Sequence, residues 1–221
     1  MGWSYSAPPR HSKSNTATFM AVPPRGGTPA GGGVMAGARI TGGVFRSLPL
    51  SVPRTIRPTE AKVRLAIFNI LGDVTQDARV LDVYAGSGAL GVEALSRGAA
   101  FAAFIESDTE GVLAIRDNLA RLEPDISRSA YRIVHMEAER GLRELAASEP
   151  PFDVVLLDPP YRSEEGKNAL NTVVECAILA PAGIAILEHH QRTDVPASFG
   201  PLRRGKRHRY GDTVLSLYQF G

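Results

Sequence analysis

Apolar positions along this chain follow two alternating rhythms. Compact runs of Val, Leu, Ile and Phe, of the kind a strand buried on both faces requires, alternate with stretches in which apolar residues recur at helical spacing. The runs predict strands at Val80–Tyr84, Ala102–Glu106, Tyr131–Val134, Phe152–Leu157 and Gly183–Glu188. Helices are predicted between them at Ala89–Arg97, Thr109–Leu122, Ala138–Ala147 and roughly Glu165–Leu179. Two closing strands, about 202–209 and 213–219, flank the turn Tyr210-Gly211-Asp212. Upstream, Ile40, Val44, Phe45, Leu48, Leu50 and Val52 around Gly42-Gly43 read as a β-hairpin over 39–57. A helix then runs to about Leu71, with Thr59 as its N-cap. Repeated strand–helix units force a mostly parallel, doubly wound α/β sheet of Rossmann-like type, here with an antiparallel edge hairpin and a small N-terminal hairpin and helix.

Residues 1–37 break this pattern. They are rich in Pro, Gly, Ser and Thr and are read as a disordered extension. The expected organisation is 1–37 extension, 38–72 hairpin and helix, and 73–221 the α/β domain. No apolar run approaches a membrane span, since Ile178–Leu187 is broken by Pro181 and Gly183. Cys176 is the single cysteine, which excludes a disulfide framework and a thiolate metal cluster. It lies in an apolar helical stretch, as a core residue would. A cytoplasmic location fits.

The net charge of +2 conceals polarity. Residues 1–59 carry seven basic residues and no acid, and Arg203, Arg204, Lys206, Arg207 and Arg209 face Asp212 alone near the other end. Basic ends on an acidic middle suggest a surface for nucleic-acid phosphates.

The chemistry gathers at two strand ends. Asp82 through Gly91 is a strand, a Gly-rich turn and a helix start, and Gly86-x-Gly88-x-x-Gly91 with Glu106 about twenty residues on fits a dinucleotide fingerprint. A carboxylate at Asp82 would discourage a pyrophosphate. It would suit S-adenosylmethionine (SAM), whose amino-acid end is cationic and which has no phosphate. Asp82 would then serve the ammonium, the turn Tyr84, Ala85, Gly86, Ser87 and Gly88 would lie against the ligand, and Glu106 with Ser107 would take the ribose. Glu137 and Ala138, after the third strand, would meet the adenine, although an acid at a helix start is also favoured by the dipole alone. Asp158-Pro159-Pro160-Tyr161 ends the fourth strand. Asp158 and the Pro159 carbonyl can accept hydrogen bonds from an exocyclic amine, the prolines stiffen the loop, and Tyr161 offers a stacking face. His135, His189 and His190 lack metal spacing, and no metal is expected.

Together these residues resemble the bacterial 16S rRNA guanine-N2 methyltransferases of the RsmD type. The marks are Arg39-Ile-Thr-Gly-Gly43, Arg57-Pro-Thr59, Val63-Arg64, Phe68-Asn69, Asp82–Gly91, Glu93-Ala-Leu-Ser-Arg-Gly98, Glu106, Asp158–Tyr161 and Tyr210-Gly-Asp-Thr213. The resemblance implies SAM as cofactor and methyl transfer to a guanine amine in 16S rRNA during small-subunit assembly. Arg39, Arg46, Arg57, Thr59 and Arg64 are the expected RNA-binding residues, and a monomer is the expected state. Arg46-Ser47-Leu48-Pro49-Leu50 and Arg64-Leu65 depart from the family pattern by carrying fewer charges on that side. The alternatives are a DNA adenine-N6 or cytosine-N4 methyltransferase and a non-catalytic RNA-binding assembly factor. A target-recognition domain large enough to read DNA sequence is not evident.

Overall fold

A computed structural model describes residues 38–56, 59–123, 125–160 and 164–221. The reading of residues 1–37 lies outside these. Eight strands form one sheet: β1 Arg79–Val83, β2 Phe101–Glu106, β3 Tyr131–His135, β4 Phe152–Leu157, β5 Leu179–His190, β6 Ser198–Phe199, β7 Leu202–Tyr210 and β8 Thr213–Phe220. Among the described residues five α-helices accompany them: α1 Ala61–Leu71, α2 Ala89–Ser96, α3 Thr109–Ala120, α4 Ala138–Ser148 and α5 Glu165–Glu175. The strand order is β3-β2-β1-β4-β5-β8-β7-β6. β1 to β5 run parallel, and β8, β7 and β6 add an antiparallel edge.

Strand periodicity distributes the core. Leu81, Val83, Ile105, Val155 and Leu157 pack with Leu142 and Leu145 of α4 and Leu170 and Val173 of α5. The alternate positions Val80, Val154, Leu156 and Ile186 meet Val63, Ile67, Phe68 and Leu71 of α1 and Leu90 of α2. α3 continues that second face through Ile115 and Leu119 against Ala102 and Phe104. β1 is therefore buried from Val80 to Val83, as a central parallel strand must be.

The N-terminal segment forms a shorter antiparallel hairpin than the 39–57 expected. Its arms carry an isolated bridge, Arg39 with Pro49, rather than extended strands, around a turn at 42–47. The two arms still bond each other, Ile40 N–H to the Leu48 carbonyl at 3.0 Å, Ser47 N–H to the Ile40 carbonyl at 2.9 Å and Leu50 N–H to the Ala38 carbonyl at 2.8 Å, while the turn between them is held by α2. Thr41 N–H and Oγ1 each donate to the fully buried Glu93 carboxylate at 2.7 Å, and Arg97 Nε donates to the same group at 2.9 Å. Ser96 Oγ donates to the Gly42 carbonyl at 2.7 Å, and Val44 N–H donates to the Ser96 carbonyl at 2.8 Å. At Gly43, with φ +80°, a Cβ would lie 1.8 Å from the Ser96 carbonyl oxygen, so no side chain fits. Further along, Asn118 bonds both the N–H and the carbonyl of Ser51. Ile40, Leu50 and Val52 are buried in the core. The Arg39–Gly43 and Glu93–Gly98 motifs are thus two halves of one packed junction.

The other differences are local. α5 stops at Glu175, where Ala177 adopts φ +51°, so β5 begins earlier than expected, with a register shift between Phe152 and Val154 of its partner β4. The short strand β6 has no signature in the sequence pattern. Cys176 is half-buried, packed against the core, with a free thiol. Among the described residues no helix is long and apolar enough to cross a membrane.

Candidate active site

β2 and β4 flank β1 on opposite sides, so the chain reverses its winding there and the loops leaving β1 and β4 part above the sheet. The opening is a cleft of about 1440 Å³. That exceeds the common range of about 300–1000 Å³ for single-ligand pockets, leaving room for a nucleoside cofactor beside a nucleobase.

One wall is the turn after β1. Tyr84 (φ +63°), Gly86 (φ +56°) and Gly88 (φ +76°) take left-handed backbone conformations. Tyr84 is a non-glycine in this region, a strained arrangement of the sort concentrated at functional sites. Its hydroxyl donates to the Glu165 carbonyl at 3.0 Å. Burial, and then the fields of Glu139, Glu165 and Glu137, push its ionisation well above the ordinary tyrosine value. Tyr84, Ala85, Gly86 and Ser87 line the cleft. Gly88 does not; it is the N-cap position of α2, where a Cβ would press on Ile115 at 3.0 Å.

Glu106 ends β2. Its Oε2 accepts from Gly86 N–H at 2.6 Å and its Oε1 from Asp108 N–H at 2.7 Å. The Gly-loop amide that a pyrophosphate would use is therefore committed to a carboxylate. Each oxygen keeps a second acceptor direction toward the cleft, which suits paired hydroxyls. Gly111 permits this approach, since a Cβ there would lie 2.8 Å from Glu106 Cγ. Ser107, Glu137 and Ala138 line the same side. Glu137 occupies the N-cap position of α4 without a side-chain capping bond.

Asp82 is a correction. It is 1% exposed, it does not line the cleft, and its Oδ2 accepts from Gly91 N–H of α2 at 2.9 Å. The cause is strand parity, because Asp82 shares the face of Val80, under α1 and α2. Burial first, and then the charges of Asp158 and Glu106, hold its carboxyl well above the usual carboxylate range.

The opposite wall is Asp158-Pro159-Pro160 at the end of β4. Asp158 N–H donates to the Val83 carbonyl at 3.4 Å, which ties this loop to β1. Tyr161, expected to stack a base, and Arg57 lie outside the described residues.

The expected RNA-contacting residues separate. Arg39 and Arg46 are exposed, and Arg39 Nη1 donates to the Ser47 carbonyl at 2.9 Å. Arg64 is a second correction: it is 1% exposed, with Nη1 donating to the Thr59 carbonyl at 2.9 Å and Nη2 to the Arg39 carbonyl at 2.6 Å. Burial lowers its ionisation, and nearby Glu93 raises it in part. Thr59 lines the cleft, and its hydroxyl donates to Asp158 Oδ2 at 2.6 Å. It is not the N-cap of α1; Glu60 holds that position.

The sequence pattern did not single out Thr55 and Ile56, which line the cleft, or Arg192 and Asp194 beyond β5, and it gave His190, the last residue of β5, no place in the site. The parity of His190 with the buried Glu188 was the available signal. His189 instead turns inward, 4% exposed, with Nε2 2.9 Å from Ser216 Oγ. Eight carboxylate residues line the cleft against Lys167 and Arg192. That acidic balance fits a ligand carrying sulfonium and ammonium charges and opposes a phosphorylated one. Among the described residues no group of His, Cys, Asp or Glu is placed to hold a metal ion.

A Rossmann-like sheet with this cleft defines the class of SAM-dependent methyltransferases. The comparisons refine it. The family model described as "Conserved hypothetical protein 95" matches residues 38–219. "Putative rRNA methyltransferase YlbH" of Bacillus subtilis is 35% identical over 79% of this chain and 93% of its own length. "Ribosomal RNA small subunit methyltransferase D" of Escherichia coli K12 is 34% identical over 82% and 89%. The solved structure of "Putative methyltransferase yhhF" from Escherichia coli superposes with a TM-score of 0.72 at 34% identity, covering 83% of this chain and 97% of that one. The chain belongs to the family of the small-subunit ribosomal RNA methyltransferases of type D.

Proposed function

We propose that this protein uses SAM to methylate the exocyclic N2 amine of a guanine in 16S rRNA. The observation that carries the reading is the convergence of the Gly loop of β1, Glu106 of β2 and Asp158-Pro159-Pro160 of β4 on one acidic cleft. The names of the relatives support an RNA substrate.

When bound, SAM supplies an electrophilic methyl on a sulfonium, so that the nitrogen–carbon bond forms as the sulfur–carbon bond breaks. The protein then has to hold and orient. Asp158 accepts an N–H of the amine, and the Pro159 carbonyl accepts the other. Two acceptors on a proline-stiffened loop direct the nitrogen lone pair along one line, and such positioning carries most of the rate. The methylated nitrogen loses its surplus proton to Asp158 or to solvent. Tyr161 is assigned the stacking role from the sequence. Glu106 takes the ribose, and Asp82, bonded to Gly91 N–H, holds the start of α2 behind the Gly loop.

For the RNA grip we assign the exposed Arg39 and Arg46, joined by Arg192 at the cleft wall and by Arg207 and Arg209 of β7. Arg207 and Arg209 pair with Ser216 and Val214 of β8, whose neighbours on β5 are Leu187 and His189 at the cleft end. Two strand spacings, about 10 Å, separate them from β5. The reading expects a cytoplasmic monomer working on an assembling small subunit.

The test is transfer of labelled methyl from SAM to 30S particles of a strain lacking this modification, with the nucleoside identified by mass spectrometry. N2-methylguanosine is expected. Asp158→Ala is expected to abolish transfer while SAM still binds. Label in another nucleoside, or in duplex DNA alone, would overturn the substrate.

A further inference from the structure

Asp158 is held from a second place in the chain. Thr59, 99 residues earlier, donates its hydroxyl to Asp158 Oδ2 at 2.6 Å, a length typical of a charge-assisted O–H···O⁻ bond. The hydroxyl is available because Glu60, not Thr59, occupies the N-cap position of α1. Thr59 is itself anchored. Its carbonyl accepts from Arg64 Nη1 at 2.9 Å, and Arg64 Nη2 donates to the Arg39 carbonyl at 2.6 Å. Arg64 sits on the buried face of α1 with Val63, Ile67 and Phe68, which pack on the sheet. A β-branched side chain adds stiffness, since Thr has few χ1 wells.

We propose that Thr59 is a positioning residue for Asp158, fixing the plane of its carboxylate and keeping it an acceptor, with Arg64 fixing Thr59. The chain of contacts runs from the Arg39 carbonyl through a buried guanidinium and the Thr59 backbone to the group that receives the substrate amine. It gives Thr59 a function apart from RNA contact. Without the Thr59 hydroxyl the carboxylate loses a bond that sets its plane, and the amine is met in a less favourable geometry. This proposal rests on the reading of Asp158 given above.

The experiment measures single-turnover methyl transfer at saturating SAM and 30S particles for Thr59→Val, Thr59→Ala, Thr59→Ser and Asp158→Ala, together with SAM affinity and thermal midpoint. Thr59→Val and Thr59→Ala are expected to slow transfer about 10- to 100-fold, the kinetic equivalent of one hydrogen bond to a charged group, with SAM affinity within about twofold. Thr59→Ser is expected to recover most of the rate. A purely structural contact would instead lower the thermal midpoint and leave the rate per folded molecule intact. Equal losses in Thr59→Ser and Thr59→Val, or a full rate in a folded Thr59→Val or Thr59→Ala protein beside an inactive Asp158→Ala, would overturn the positioning role. An active Asp158→Ala protein would overturn the reading of Asp158 itself.

Discussion

Replacing Arg64 by Met separates two accounts of that residue. A phosphate-contacting arginine would contribute to RNA affinity and little to stability. The structure makes it a buried tie between two backbone carbonyls, at 2.9 and 2.6 Å. Met fills much of the same volume but donates nothing. Two partly buried carbonyls then lose a charged donor, at about 1–3 kcal/mol each. Removing a buried charge returns some of that, because taking a guanidinium out of water is itself costly. The net expectation is a loss of about 2–4 kcal/mol, and for a chain of this size about 2–4 °C of thermal midpoint per kcal/mol, hence a fall of about 4–16 °C. Scanning fluorimetry and urea titration read the stability, and filter binding of a 16S rRNA fragment at two salt concentrations reads the grip. Arg207→Ala, at an exposed position on β7, serves as the contrast: its thermal midpoint should hold, while its RNA affinity falls and the salt slope drops by about one. An Arg64→Met protein with an unchanged midpoint and a reduced salt slope would refute the reasoning.

Asp82→Asn should keep the bond from Gly91 N–H while removing a buried carboxyl crowded by Asp158 and Glu106. Its thermal midpoint is expected to hold or rise, and SAM affinity, read by calorimetry, to stay within about threefold, because Asn reproduces the uncharged form that burial favours; loss beyond about 100-fold would restore a direct contact. His189 gives a pH signature. Burial first, and then Arg207, Arg204 and His190, hold its ionisation below 6.5 despite the bond to the His190 carbonyl. Between that lowered folded value and 6.5 the unfolded chain binds more protons, so stability is full above 6.5 and declines as pH falls through this window. Urea midpoints measured across it should show the slope, and His189→Gln should flatten it.

The alternation of buried runs and helical spacing was enough to determine the five parallel strands, the four helices between them and the closing antiparallel pair. Each is a local pattern repeated against one sheet, and a parallel sheet requires it. The cleft followed from the same reading, since strand ends and topology place the Gly loop and Asp158-Pro159-Pro160 side by side. Asp82 was legible in principle: its parity with Val80 sets its face, but the motif drew attention to the ligand instead. Tertiary structure alone decided the rest. Thr59 has the look of an N-cap, yet its hydroxyl goes to Asp158, whose approach depends on how α1 packs against β4 and β5. Arg64 has the look of a surface cation, yet it is buried because Arg39 and Thr59 bring two carbonyls to it. The Gly42-Gly43 turn joins a hairpin whose arms bond each other, yet Thr41, Gly42 and Val44 within it bond Glu93 and Ser96 of α2. In each case a polar group with several possible partners was satisfied by residues far away in the chain. Hydrophobic periodicity carries which face is buried, but not which distant acceptor a buried donor finds.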